Sequence, residues 1–182
     1  MSTQHIAEAT GVRLPSADSI RAIQSALQQA GDKSRAQFVT HTRLVDGYQT
    51  AAAIRQFDLV IDEPAALGGT DLGPNPVEVV LAALGACQEI VYATYAALLG
   101  VQIDRLAIHV TGHLDPRGFF GLADVPAGFQ AVAFEVDLQT PSPADKVQQL
   151  VNLVNQRCPV LDILQRPIPT QGRVTVNGVP LS

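Results

Sequence analysis

Two cysteines carry most of the chemistry open to this chain of 182 residues. Cys87 lies inside the densest apolar run, PNPVEVVLAALGACQEIVYATYAALLG, and Cys158 opens a Cys-Pro-Val step far downstream. A thiol on a buried helix is ordinarily inert packing, because apolar surroundings favour its protonated form. Two thiols that a fold brings together can do more. One is oxidised to a sulfenic acid and the other condenses with it to a disulfide, a chemistry that needs no metal and no bound cofactor. By helical spacing Cys87 shares a face with Val80, Ala83, Leu84 and Val91. That face suits a packed core, and equally the floor of a pocket for a greasy substrate, provided a cation sits near enough to favour the thiolate. Arg157 adjoins Cys158, while Arg43 and Arg55 lie on early strand-like runs, and the sequence leaves the choice among them open.

The other reactive side chains make weaker patterns. His109 and His113 are four apart in a strand-like run, where four residues span about 13 Å, too far to share one metal ion. There is no Cys-x-x-Cys, no His-Glu-x-x-His and no Gly-x-Ser-x-Gly, so neither a metal centre nor a serine nucleophile is expected. The stretch from Gly68 to Gly73 precedes a helix and could cradle an anion on its amides. It lacks the Lys-Ser/Thr ending of a phosphate loop, and Asp71 would repel a phosphate, so a plain tight turn is the expectation.

Composition narrows the partners. With 47% apolar residues the chain can bury a core as one domain without disulfides. A net charge of −5, with Lys33 and Lys146 the only lysines, argues against a nucleic-acid surface or a polybasic membrane patch. The start, MSTQHIAEATG, carries no basic and apolar leader, so a reducing cytoplasm is expected. Residues 76–100 have the length of a membrane span, yet Glu78, Gln88 and Glu89 interrupt them. The buried central helix of a soluble fold or dimer is the expected reading.

The elements that must position the cysteines follow from periodicity and caps. Ser16 precedes an amphipathic stretch, ADSIRAIQSALQQAG, that Gly31 stops. Alternating runs follow at Ala36–Thr42 and Tyr48–Leu59, joined through Asp46-Gly47, a hairpin signal; a third strand covers Phe57–Glu63. A loop rich in glycine and proline leads to Asn75, Pro76 and Glu78, which spell an N-cap, a first-turn proline and a capping box, and Gly100 ends that helix. Two strands, IDRLAIHVTGHLD and FQAVAFEVDLQT, flank a connection from Pro116 to Gly128. Ser142 and Pro143 open a helix whose Val147, Leu150, Val151 and Val154 form one stripe ending near Cys158-Pro159, and Gln171–Pro180 closes as a last strand. The order implies an α+β fold with hairpin-linked strands.

Taken together, GGTDLGPNPVEVVLAALGAC and the distant Cys-Pro-Val resemble the osmotically inducible protein C and organic hydroperoxide resistance superfamily. The resemblance runs from about Arg35 to the C-terminus, which divides the chain into an N-terminal extension at 1–34, with its short helix, and an OsmC-like domain at 35–182. It implies antiparallel sheets around two long buried helices in an intertwined homodimer. It further implies that Cys87 is the peroxidatic thiol and Cys158 the resolving one, that the substrate is an organic hydroperoxide, and that a dithiol reductant such as a lipoylated protein resets the pair, with no bound cofactor. Peroxidase members carry a glutamate, where this chain has Val77, that pairs with an arginine activating the thiolate. Glu78 falls nearly opposite Cys87 on a regular helix and is expected to cap instead. Arg43 is the nearest counterpart of the family arginine, with Arg55 the second. Two readings therefore stand: a thiol peroxidase for organic hydroperoxides, and a relative without that catalysis that binds small lipophilic molecules in a thiol-lined pocket.

Overall fold

Caps decide where the helices begin. In this computed structural model, which describes residues 11–181, helix α1 spans Ala17–Ala30 and starts on Ser16, whose hydroxyl accepts the Ser19 N–H at 3.4 Å. Residues 1–10, His5 among them, and Ser182 lie outside the described residues. Helix α2, Pro76–Leu99, opens on the expected capping box. The Asn75 side chain accepts the Glu78 N–H and the Glu78 carboxylate accepts the Asn75 N–H, each at 2.8 Å. A cap of this kind contributes about 0.5–2 kcal/mol, and Gly100 closes the helix in the left-handed conformation.

Helix α4, Ala144–Arg157, ends where the Cys-Pro step forecast. The chain then restarts as α5, Pro159–Gln165, which the sequence reading did not anticipate. Proline cannot continue a helix because it lacks the N–H and pushes the preceding residue out of the helical region, but its fixed φ suits a first turn. Cys158 is thereby held extended between two helices, at φ −74° and ψ 112°.

Strands β1 (His41–Asp46), β2 (Gln49–Ile54) and β3 (Phe57–Ile61) form an antiparallel sheet in that order. The Asp46-Gly47 turn is as expected, but two of the expected runs change. Pairing begins at His41, not Ala36, and the run from Tyr48 to Leu59 is two strands folded back at Arg55, a non-glycine residue at φ +56°. Strands β4 (Arg105–His113) and β5 (Ala131–Gln139) pair along their whole length, with the short helix α3 (Pro116–Phe119) in their connection. The expected last strand is a minimal hairpin, β6 (Thr175–Val176) and β7 (Val179–Pro180), around Asn177-Gly178.

Helix α2 packs against β4, α4 and α5. The core joins Leu84, Val91, Tyr92 and Ala96 of α2 to Val101, Ile103, Leu150, Val154, Cys158 and Leu161, with the inner face of β4 and β5 packed against it. Burying each large aliphatic side chain here contributes about 1.5–3 kcal/mol. By length and composition alone helix α2 could cross a membrane, although Glu78, Gln88 and Glu89 interrupt it. The segment before α1 is tied to the same end of the core: the Gly11 and Val12 N–H groups donate to the carbonyls of Asp104 and Ile103, and Leu14 packs inward.

The sheet β1–β3 is different. Its strands pack on one another and, among the described residues, no helix covers them as a layer, and every residue of β1 is exposed, as are Phe57 and Val60 of β3.

Candidate functional site

The fold brings Cys87 and Cys158 together. Cys87, on α2, is half-buried, whereas Cys158, in the joint between α4 and α5, is 1% exposed. Both are free thiols and direct neighbours at the edge of the core. Burial pushes the Cys158 thiol above the ordinary cysteine range. The amides of Leu161 and Val160 at the start of α5 partly oppose that, and the neighbouring Cys87 adds to it. Cys158 is accordingly a protonated thiol at neutral pH, able to bring a proton with its sulfur.

The three candidate arginines are not part of this contact. Arg43 stands on β1, exposed and paired through its Cα with Ala51, on the sheet that no helix covers. Arg55 lies over the Phe57 ring, 5.2 Å from its centroid. Arg157 is the exposed last residue of α4. Among the described residues no arginine is in the environment of the Cys158 thiol. The carboxylates also divide. Glu78 caps α2 as expected, while partial desolvation raises the carboxyl of Glu89, an exposed residue of α2.

An apolar hollow of about 210 Å³ lies at the start of α2, lined by Tyr48, Glu63, Leu67, Val77, Phe119 and Phe120 among others. Neither cysteine lines it. Cys87 comes ten residues after Val77, about 15 Å along the helix. With valine at this position Glu63 is the one carboxylate lining the hollow, and a glutamate would add a second.

The loop ahead of α2 is a tight structural turn. The buried carboxylate of Asp62 accepts the N–H groups of Glu63 at 2.8 Å, Thr70 at 3.1 Å and Leu72 at 3.3 Å, together with the Thr70 hydroxyl. The amides that could have cradled an external anion are filled by the chain's own. Two glycines allow it: a Cβ at Gly69 would meet the Glu63 carbonyl, and one at Gly73 the Val60 carbonyl. His109 and His113 are exposed on β4, and among the described residues no cluster of His, Cys, Asp or Glu could hold a metal ion.

Gln88, expected only as a break in the apolar run, has a further property. Gln88 is 0% exposed, and neither its Nε2 nor its Oε1 has a hydrogen-bond partner among the described residues. An unmet buried amide costs about 1–3 kcal/mol. The signal was available, because Gln88 is the one polar position in the stripe formed with Leu84, Val91 and Tyr92.

Comparison with known proteins identifies the fold and family. A family model for OsmC-like proteins matches residues 69–172, which contain both cysteines and α2. The chain belongs to the OsmC-like family. Its relatives include a hydroperoxide reductase of Mycoplasma pneumoniae, 25% identical over 125 residues that cover 67% of this chain and 81% of that protein. Among solved structures, the OsmC-like protein from Mycoplasma pneumoniae matches with a TM-score of 0.62 at 21% identity, over 71% of this chain and 88% of its own. An organic hydroperoxide resistance protein OsmC from Legionella pneumophila matches with a TM-score of 0.53 at 17% identity, over 72% of this chain and 92% of its own. These likenesses carry the OsmC fold, mixed helix and antiparallel sheet. All of α1, the segment tying it down and the strands β1–β3 precede the part of this OsmC-like protein that the family model matches.

Proposed function

We propose that this OsmC-like protein is a thiol peroxidase that reduces organic hydroperoxides, with Cys87 the peroxidatic and Cys158 the resolving cysteine. The observation that carries the reading is the meeting of two free thiols, distant in sequence, at the edge of an apolar core. In the first step the Cys87 thiolate attacks the terminal peroxide oxygen. The O–O bond breaks, the alkoxide takes a proton to become an alcohol, and Cys87 becomes a sulfenic acid. Cys158 then closes the disulfide, and a dithiol reductant reopens it by exchange. The apolar surroundings favour an organic peroxide over hydrogen peroxide. Purified protein with a dithiol should consume cumene hydroperoxide faster than hydrogen peroxide; equal or absent consumption of the two speaks against the reading.

The working unit in this proposal is a homodimer in which a second copy covers the sheet β1–β3. That sheet exposes Leu44, Val45, Phe57 and Val60 to water in a single chain, and a stable dimer of this kind buries more than about 2,000 Å². Arg43 lies on the same sheet, so dimerisation is also the step that could bring it to a thiol. Solution scattering at micromolar concentration tests the dimer directly.

A second reading has its own observation. The hollow beside Val77 is apolar and separate from both cysteines, which favours binding of a small lipophilic molecule without turnover. Saturable quenching of Tyr48 by such a molecule, in protein with no peroxide consumption, would select it.

A further inference from the structure

Gln88 directly follows Cys87 on α2. Successive helical residues are about 100° apart, so Gln88 stands at the centre of the buried face, between Leu84, Val91 and Tyr92, while Cys87 stands at its edge. The core on that side is otherwise apolar and includes Leu150, Val154, Leu161 and Cys158. This carboxamide is fully buried, one residue from the thiol pair, with donors and acceptor all unengaged by the described chain, a state that buried polar groups seldom keep without a reason.

We propose that Gln88 is a positioning residue for disulfide closure: its carboxamide receives the hydroxyl of the Cys87 sulfenic acid and then the water which that hydroxyl becomes. The inference rests on the thiol peroxidase reading above. In closure the Cys158 sulfur supplies an electron pair to the Cys87 sulfur. The S–S bond forms, the S–O bond breaks, and the departing hydroxide takes the Cys158 proton, so each disulfide releases one water. The hydroperoxide of the first step is the only oxidant the sequence of steps needs. The hydroxide leaves beside a core that offers it few other polar side chains. There Nε2 can donate to the departing oxygen and Oε1 can accept from its hydrogen, as preorganised dipoles stabilise a leaving group.

The test compares wild type with Gln88→Met, an unbranched side chain of similar length, and with Gln88→Leu in case the first does not fold. After one equivalent of cumene hydroperoxide, a dimedone-type probe follows sulfenic acid and thiol loss follows closure. Both variants should form sulfenic acid at the wild-type rate, close the disulfide about a hundredfold to a thousandfold more slowly, and accumulate more trapped adduct. Closure by diamide, in which no hydroxide leaves, should run at the wild-type rate, and the reduced variants should melt no lower than wild type. Unchanged closure with hydroperoxide overturns the inference, as does equal slowing with diamide, or failure of both variants to fold, since each would mean a purely structural amide. Absence of sulfenic acid in wild type would instead remove the peroxidase reading itself, and this inference with it.

Discussion

Asp62 and Thr70 are joined twice: the Asp62 carboxylate accepts both the backbone N–H and the hydroxyl of Thr70. The same carboxylate takes the Leu72 and Glu63 N–H groups, so one buried anion organises the loop that delivers Asn75 to the start of α2. Those bonds, the Thr70 hydroxyl foremost, hold the Asp62 carboxyl below the usual range against the opposing effect of burial. A carboxyl lowered on folding stabilises the protein fully above its unfolded value of about 3.9, and that contribution is lost as pH falls through the folded value. Asp62→Asn should therefore be less stable than wild type at pH 7, with the gap narrowing below about pH 4. Urea midpoints from pH 7 to 3 measure it; a constant gap would show that the charge plays no part.

Glycine at positions 69 and 73 is a matter of space more than of conformational freedom. Alanine at either one sets a Cβ against a backbone carbonyl, which cannot rotate away as a side chain could. Gly69→Ala and Gly73→Ala should each lower the melting temperature by several degrees, at about 2–4 °C per kcal/mol for a domain of this size. Gly172→Ala, which meets nothing within 4 Å, should leave it unchanged.

The two cysteines should fail differently. Cys87→Ser is expected to abolish peroxide turnover, whereas Cys158→Ser should reduce one equivalent and stall as a sulfenic acid that a dimedone-type probe labels. In Cys87→Ser, Cys158 should still resist iodoacetamide until a pH above that needed by an ordinary cysteine, because burial is the largest cause of its raised value. A first oxidation found on Cys158 would reverse the assignment.

Val77 lines the same hollow as Glu63, so Val77→Glu would place two carboxylates among Leu67, Phe119 and Phe120. With a guanidinium to pair with, the new carboxylate can hold that cation toward the thiol; without one it is a buried unpaired charge. Val77→Glu should speed reaction with organic hydroperoxide while Arg43 is present. Combined with Arg43→Ala it should be slower and less stable than either parent. Peroxide kinetics and melting curves on the four proteins decide this, and an acceleration that survives the loss of Arg43 would move the role to Arg55 or Arg157.

Much of this could be read from residue types alone, for local physical reasons. The capping box at Asn75, the stops at Gly31 and Gly100 and the turn at Asp46-Gly47 are decided within a few residues, and each appears where expected. Helix α5 escaped notice because seven residues are too few to show a period. The reversal at Arg55 escaped because a non-glycine residue in the left-handed region leaves no compositional mark. The role of Asp62 and the isolation of Gln88 depend on which groups meet in space, and a linear reading weighs neither. Whether an arginine reaches Cys87 depends on what covers β1–β3, a question no single chain answers by its own spacing.

The capping box also acts as a ruler. Because Asn75, Pro76 and Glu78 settle the point at which α2 begins, the number of residues from there to Cys87 sets the direction in which the sulfur points, at about 100° per residue. Substitutions along that span can change packing and leave the thiol aimed at Cys158. A single insertion or deletion would swing it a quarter-turn or more away. Natural variation between the cap and the cysteine should thus be free in letters and strict in length.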